Sequence, residues 1–450
     1  MQSTHGGEHT KVLLVSIRTP KVTDAEAEES LAELKRLVTT LGYHVIGTQS
    51  QRQPSTAGVT VVGEGKLREL ARFTGGKGVV ERFGKQAEEN DEEESSPEPD
   101  ATGARLAPQE LATVVVFDCD LTPSQMRNVE NALGAEVLDR TGVIIEIFSR
   151  HAKTRAAKLQ VEIARLNYLS PRLRELGGAK ERQSGRGSGE SALELDRRKV
   201  RDRLAELKRE LESVQEEQGS RRAQRAEQMC VVLVGYTNAG KSSAMRALTG
   251  SEVLVEDKLF ATLDTTVRAM QPETQPRILV SDTVGFIKKL PHDLVASFRS
   301  TLDEARNASL LLYVVDASDP TFRAQLEVVN EVLGEVGVEN TPHLLLLNKS
   351  NRLSEEQQHA LLAEFPDAML MSTRRPDDIR ALRERIMQFA EQGMVEEEIF
   401  VPYTAKGVVG EVHAKMRIVH ESYEAEGVRL RVRSNAADLD RLKKMIISDK

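Results

Sequence analysis

Apolar positions along this chain follow two rhythms, and the rhythm changes three times. From residue 11 to 148, short apolar runs alternate with helical spacing. KVLLVSI (11–17), YHVIGT (43–48) and ATVVVFD (112–118) read as buried strands, and KGVVERF (77–83) as a possible further one. Between them, Asp24 to Leu41 and GKLRELARF (65–73) carry helical spacing, and Thr122 caps a helix through Leu133. Such alternation predicts a mostly parallel sheet. From Arg150 to about Gln228 the pattern is helical only. Ala152, Ala156, Leu159, Ile163 and Leu166 share one face, and after a Gly-rich interruption Leu193, Val200, Leu204, Leu207, Leu211 and Val214 repeat in steps of four and three. Two helices with so narrow a seam predict an antiparallel hairpin; a plain spacer or a dimerising coiled coil would share the pattern.

Strand–helix alternation then resumes. MCVVLVG (229–235), RILVSD (277–282), LLLYVVD (310–316), HLLLLN (343–348) and AMLMS (368–372) are apolar strands separated by helical segments. The last stretch predicts a small α+β appendage: strand FVPY (400–403), a helix from Thr404 to Lys415, a hairpin of MRIVHES and GVRLRVRS, and a helix from Ala436 to Ile447. The expected organisation is an α/β domain over 1–149, a helical hairpin over 150–227, a second α/β domain over 228–395 and an α+β domain over 396–450.

Length agrees, since 450 residues exceed what one core fills. No apolar run reaches the roughly 18 residues a membrane span needs, and the N-terminus lacks a secretory pattern, so the cytoplasm is expected. Two cysteines, Cys119 and Cys230, build neither a disulfide framework nor a zinc site alone and read as core residues. The net charge of −8 argues against a nucleic-acid binder, but its distribution changes that picture. Between Arg150 and Arg225 twenty Lys and Arg face twelve Asp and Glu, a local basic excess. By contrast, 88–100 (EENDEEESSPEPD) holds eight acids and no base; with its surroundings, about 84–108, it reads as a solvated, disordered linker.

The second α/β segment carries the chemistry. Gly235, Tyr236, Thr237, Asn238, Ala239, Gly240, Lys241 and Ser242 fit GxxxxGK[ST] directly after a strand and before a helical run, with Ser243 following. Glycines there let backbone amides wrap a β-phosphate, Lys241 reaches β and γ oxygens, and Ser242 ligates magnesium. Asp282-Thr-Val-Gly285 follows the strand RILVS; its carboxylate is placed to hold magnesium and the Gly285 amide to approach a γ-phosphate. Between them, Thr262 is the chosen third magnesium ligand of a switch segment, with Thr265 or Thr266 also open. Lys241, Thr262 and Gly285 are therefore the expected catalytic set. Asn348-Lys349-Ser350-Asn351 stands where guanine-specific proteins place NKxD, and Ser372-Thr373 where a backbone amide meets the guanine 6-oxo group. Asn351 has one acceptor where Asp has two, leaving the base-reading edge one short. Position 286 is Phe rather than the water-orienting glutamine of Ras-like proteins, so slow isolated turnover is expected.

Together these motifs resemble the HflX family of ribosome-associated P-loop GTPases. The resemblance covers nearly the whole chain outside the acidic linker. It rests on GYTNAGKS, LFATLD, DTVGFIKKLPHDLVASFRSTLDEA, DRTGVIIEIFSRHAKTRAAKLQVEIARLNYL, and the Gly185–Glu190 interruption followed by LELDRRKVR. It implies a Ras-like GTPase domain using GTP and Mg²⁺, and a hairpin whose Gly-rich loop, 185–190, enters the large ribosomal subunit. There Arg186, Gly187, Ser188, Gly189, Arg197 and Arg198 would meet rRNA, helped by Arg172, Arg174 and Arg182, and the protein would act as a monomer that remodels or splits stalled ribosomes. Arginines that pair phosphates bidentately and glycines that admit close approach suit that role. Asn238 sits where some glutamine-less relatives help bind K⁺. Asn351, Thr373 and Ser188 replace the family's Asp, Ala and Pro. A nucleotide-gated binding module with little hydrolysis, and a partner of RNA modification, are the competing expectations.

Overall fold

The computed structural model describes residues 10–20, 22–80, 111–177, 192–223, 228–250, 259–260, 266–275, 277–288 and 304–448, except 339, 393, 406 and 435. It forms two compact units, one of residues 1–152 with 158–210 and the other of 153–157 with 211–450.

In the first unit, strands β1 (Lys11–Arg18), β2 (His44–Arg52), β3 (Val114–Phe117) and β4 (Glu136–Asp139) lie in the order β2-β1-β3-β4. All three pairings are parallel, as the alternation with helices requires. Helices α1 (Asp24–Thr40), α2 (Glu64–Thr74), α3 (Pro123–Leu133) and α4 (Arg140–His151) cover the sheet. The first and third start on capping boxes, Thr23 with Glu26 and Thr122 with Gln125; the cap expected at Thr122 is in place. The expected strand at 77–83 is not formed at 77–80, and 81–83 lie outside the described residues. Gly78 takes φ +71° and its amide donates to Ala132 O at 2.8 Å, a conformation no strand allows. Beyond the expected elements stand β4 and α4, whose Arg140 is 2% exposed, bonds Asp118 at 2.9 Å and pairs with Glu33.

Two long helices, α5 (Arg155–Gly177) and α6 (Ala192–Ala223), occupy the expected hairpin segment. Arg203 on α6 donates to Glu162 on α5 at 3.0 and 3.1 Å, and Leu159, Ile163 and Leu207 are buried; the neighbours of Leu207 on α6 are exposed, whereas on α5 Gln160, Val161 and Ala164 are buried as well. On α6 that is the narrow seam read from the heptad spacing, while the buried face of α5 is broader. The interruption at 185–190, with Arg186, Gly187, Ser188 and Gly189, lies outside the described residues, as does the acidic stretch.

The second unit holds a six-stranded sheet and a three-stranded one. Strands β5 (Met229–Val234), β6 (Thr266–Ala269), β7 (Ile278–Asp282), β8 (Leu310–Asp316), β9 (His343–Asn348) and β10 (Met369–Leu370) are ordered β10-β9-β8-β5-β7-β6, parallel except for β6 at the edge. Helices α7 (Lys241–Thr249), α8 (Phe322–Glu335), α9 (Glu355–Glu364) and α10 (Pro376–Glu391) alternate with them. β5, β7, β8 and β9 are apolar runs because both sheet faces are covered, and Val231, Leu233, Val280, Leu312 and Leu346 form the core. The appendage pairs β11 (Val395–Pro402) and β12 (Arg417–Tyr423) on either side of β13 (Gly427–Ser434), all antiparallel, with α11 (Val408–Lys415) and α12 (Ala436–Ser448). The helix expected from Thr404 begins at Val408, behind Gly407 with φ +84°. Among the described residues no helix is long and apolar enough to cross a membrane, and no group of three His, Cys, Asp or Glu could hold a metal ion.

Candidate functional site

Five strand ends converge at the C-terminal edge of the six-stranded sheet, where parallel α/β folds bind ligands. Gly235 follows β5, Asp282 ends β7, Asp316 ends β8, Asn348 ends β9, and Ser372 lies just beyond β10. The loop 235–240 turns the chain from β5 into α7, whose first residue is Lys241. Its glycines are required by space. A Cβ on Gly240, at φ +105°, would stand 2.2 Å from Asn348 Nδ2, and one on Gly235 would stand 2.2 Å from Val314 O. Amides opening a helix also present its positive end to an anion.

Lys241 is 6% exposed, and its ammonium donates to Gly235 O at 3.0 Å and Tyr236 O at 2.8 Å. Burial pulls its pKa down from 10.5 to about 8, against a smaller opposing pull from the Asp282 carboxylate. A buried cation held by carbonyl dipoles is stabilised further by an anion, so phosphate oxygens fit this place. Ser242 Oγ donates to Asp282 Oδ2 at 2.8 Å, and Asp282 is fully buried. These two hard oxygen donors, forty positions apart, meet where a small divalent cation would bridge protein and phosphate. Thr262 and Thr265 lie outside the described residues. Thr266 opens β6 and pairs with Asp282 across the sheet.

Gly285 is tightly packed, since a Cβ there would lie 2.9 Å from Thr237 Cα and 3.0 Å from Lys241 Nζ. The contacts of the next residues had no sign in the sequence pattern. Phe286 pairs its backbone with the phosphate loop, donating to Gly235 O at 3.2 Å and accepting from Thr237 N at 2.8 Å. Lys288 N also donates to Tyr236 Oη at 2.6 Å. The Phe286 side chain is 2% exposed, so it serves packing at the position where a glutamine would orient water.

On the other flank, Asn348 ties two loops together. Its Nδ2 donates to Ala239 O at 2.8 Å, and its Oδ1 accepts from Thr373 N at 3.2 Å. That amide, expected to face a base 6-oxo group, thus has a protein partner here. Lys349, at φ +63°, donates to Asn238 O at 2.8 Å and to Asp316 Oδ2 at 2.7 Å. Asp316 was not singled out from sequence, although a carboxylate closing an apolar strand was its available signal. Asn351 Oδ1 accepts from Ser372 Oγ at 2.8 Å. The described site residues on both flanks are therefore neighbours. Arg197 and Arg198 sit near the start of α6, in the other unit.

Three family models match the chain. One for the N-terminal region of GTP-binding GTPases covers residues 28–81 and 102–149, one for their middle region covers 151–225, and one described as 50S ribosome-binding GTPase covers 230–349. A protein named GTPase HflX from Gluconacetobacter diazotrophicus is 55% identical over 96% of this chain and 97% of its own. One of the same name from Caldanaerobacter subterraneus subsp. tengcongensis is 33% identical over 97% and 94%. Among solved structures, a GTP-binding protein from Sulfolobus solfataricus in complex with GDP superposes on 85% of this chain and 99% of its own, at 23% identity and a TM-score of 0.43. The superposition is loose; the kinship rests on sequence.

Proposed function

Because the chain belongs to the HflX family of GTPases, we propose that it is a ribosome-associated GTP hydrolase that binds the large subunit and remodels or splits stalled ribosomes. The observation that carries the enzymatic part is Lys241, a buried ammonium at the N-terminus of α7, beside the Ser242–Asp282 pair. GTP is the substrate. In this reading, water attacks the γ-phosphorus, the bond from that phosphorus to the β–γ bridging oxygen breaks, and GDP and phosphate leave. Lys241 neutralises charge on the β and γ oxygens, and the loop amides from Gly235 to Ser243 hold the β-phosphate. The Gly285 amide meets the γ-phosphate, which lets the segment behind it report whether that phosphate is present. Ser242 and Asp282, with Thr262, are the residues that would hold Mg²⁺, which supplies charge neutralisation when bound. Asn238 is the position from which K⁺ would be assisted. Asn348, Lys349, Asn351, Ser372 and Thr373 enclose the base.

Phe286 supplies no hydrogen bond to an attacking water, so turnover is slow until a partner orders the site. The basic excess of 150–225, including Arg186, Arg197 and Arg198 with Gly187, Ser188 and Gly189, suits rRNA phosphates as that partner. The protein acts as a cytoplasmic monomer. Steady-state GTP turnover with and without purified large subunits tests this, with sedimentation of ribosomes as the second readout. Strong stimulation is expected, and replacement of Gly185–Glu190 by a Ser-rich link should preserve nucleotide binding while abolishing splitting. Equal turnover with and without subunits would overturn ribosomal activation. Subunit binding that depends on nucleotide but brings no hydrolysis would favour a nucleotide-gated binding module.

A further inference from the structure

In the proposed GTPase site Asn351 faces the base, and its surroundings fix which end of its amide does so. Ser372 Oγ accepts from Arg374 N at 3.3 Å and has one proton, which it donates to Asn351 Oδ1 at 2.8 Å. The Ser372 amide is itself anchored, donating to Asp378 Oδ2 at 2.7 Å. The carbonyl end of Asn351 is therefore turned toward the 372–374 loop, and the Nδ2 end away from it. With that loop at the 6-oxo side of a purine, the edge runs from position 6 through N1 to position 2. Oδ1 then meets the N1–H, and Nδ2 meets whatever stands at position 2.

Resting on the P-loop reading of this site, we propose that Asn351, held by Ser372, selects a 2-oxo purine, so that xanthine nucleotides bind more tightly than guanine nucleotides. Xanthine offers N1–H to Oδ1 and a carbonyl to Nδ2, which pairs both ends of the amide. Guanine offers N1–H and then an amino group, which sets donor against donor. Hypoxanthine offers N1–H and nothing at position 2, and falls between. Adenine turns the unprotonated N1 toward Oδ1 and is rejected. The mispairing of guanine corresponds to about ten- to hundredfold in affinity.

Calorimetric titration of the full-length protein with GDP, IDP and XDP at fixed Mg²⁺ tests the order, alongside Asn351→Asp and Ser372→Ala. The wild type should rank XDP above IDP above GDP. Asn351→Asp should reverse XDP and GDP, because a carboxylate accepts from both guanine donors. Ser372→Ala should narrow the XDP-to-GDP ratio, as the loss of a positioning residue would. A wild type that prefers GDP to XDP overturns the base assignment alone, and needs no variant to fold. No binding of any of the three diphosphates to the wild type would overturn the P-loop reading and this assignment together.

Discussion

Lys241→Met should make the nucleotide-free protein more stable while removing its affinity for nucleotide. Lys241 carries its charge into a fully buried place, and burial lowers its pKa from 10.5 to about 8. That displacement corresponds to about 3 kcal/mol lost to the folded state at neutral pH. The penalty is complete below about pH 8, because folded and unfolded chains then both hold the proton. It shrinks from pH 8 toward 10.5, where the unfolded chain is still charged and the folded one is neutral, and it vanishes above that. Methionine keeps the apolar stem and removes the charge. The two carbonyls that lose the ammonium keep other donors: Gly235 O retains Phe286 N at 3.2 Å, and Tyr236 O retains Ala239 N at 3.3 Å. Little hydrogen bonding is therefore forfeited, and a net gain of about 1–3 kcal/mol remains at pH 7. Denaturant unfolding of nucleotide-stripped wild type and variant at pH 7 and 9.5 checks this. The variant should lead at pH 7, the lead should shrink at pH 9.5, and GDP should protect only the wild type. A variant that is less stable by the same amount at both pH values would refute the argument.

Gly240→Ala forces a non-glycine residue to φ +105° and drives Asn348 Nδ2 from Ala239 O, so GDP affinity measured by titration should fall at least about tenfold. Ser242→Ala should leave metal-free GDP binding within a few-fold but remove most of the gain that Mg²⁺ brings, as read by titrations with and without chelator. Arg140→Met leaves Asp118 and Glu33 as buried carboxylates without their guanidinium and should cost about 3–5 kcal/mol in the unfolding of the N-terminal unit, while nucleotide binding is unchanged.

The nucleotide-site residues legible in sequence were those that chemistry fixes by spacing. The GxxxxGK[ST] spacing between a strand and a helix is what a phosphate-cradling loop needs, so Gly235 to Ser242 could be read directly. Asp282 and Asn348 were readable because polar residues closing apolar strands mark the edge at which parallel strands end together. Asp316 closes β8 in the same way, yet the salt bridge to Lys349 depends on β8 and β9 being neighbours, which no local pattern states. Arg140 was invisible for the same reason, as its partners Glu33 and Asp118 lie 107 and 22 residues away.

The sequence by itself determined most of the strand and helix order, though not β4, α4 or β6, together with the cap at Thr122, the heptad seam of α6 and the phosphate loop, because each arises from periodicity or steric demand within a few residues. Only tertiary structure decided that Phe286 zips onto Gly235 and Thr237, that Gly78 turns rather than extends, and which end of Asn351 Ser372 holds. The first two depend on which distant backbone donors and acceptors fall within about 3 Å of one another, where burial leaves them no water to pair with instead; the third is a side-chain bond to the exposed Asn351 from a residue 21 positions away.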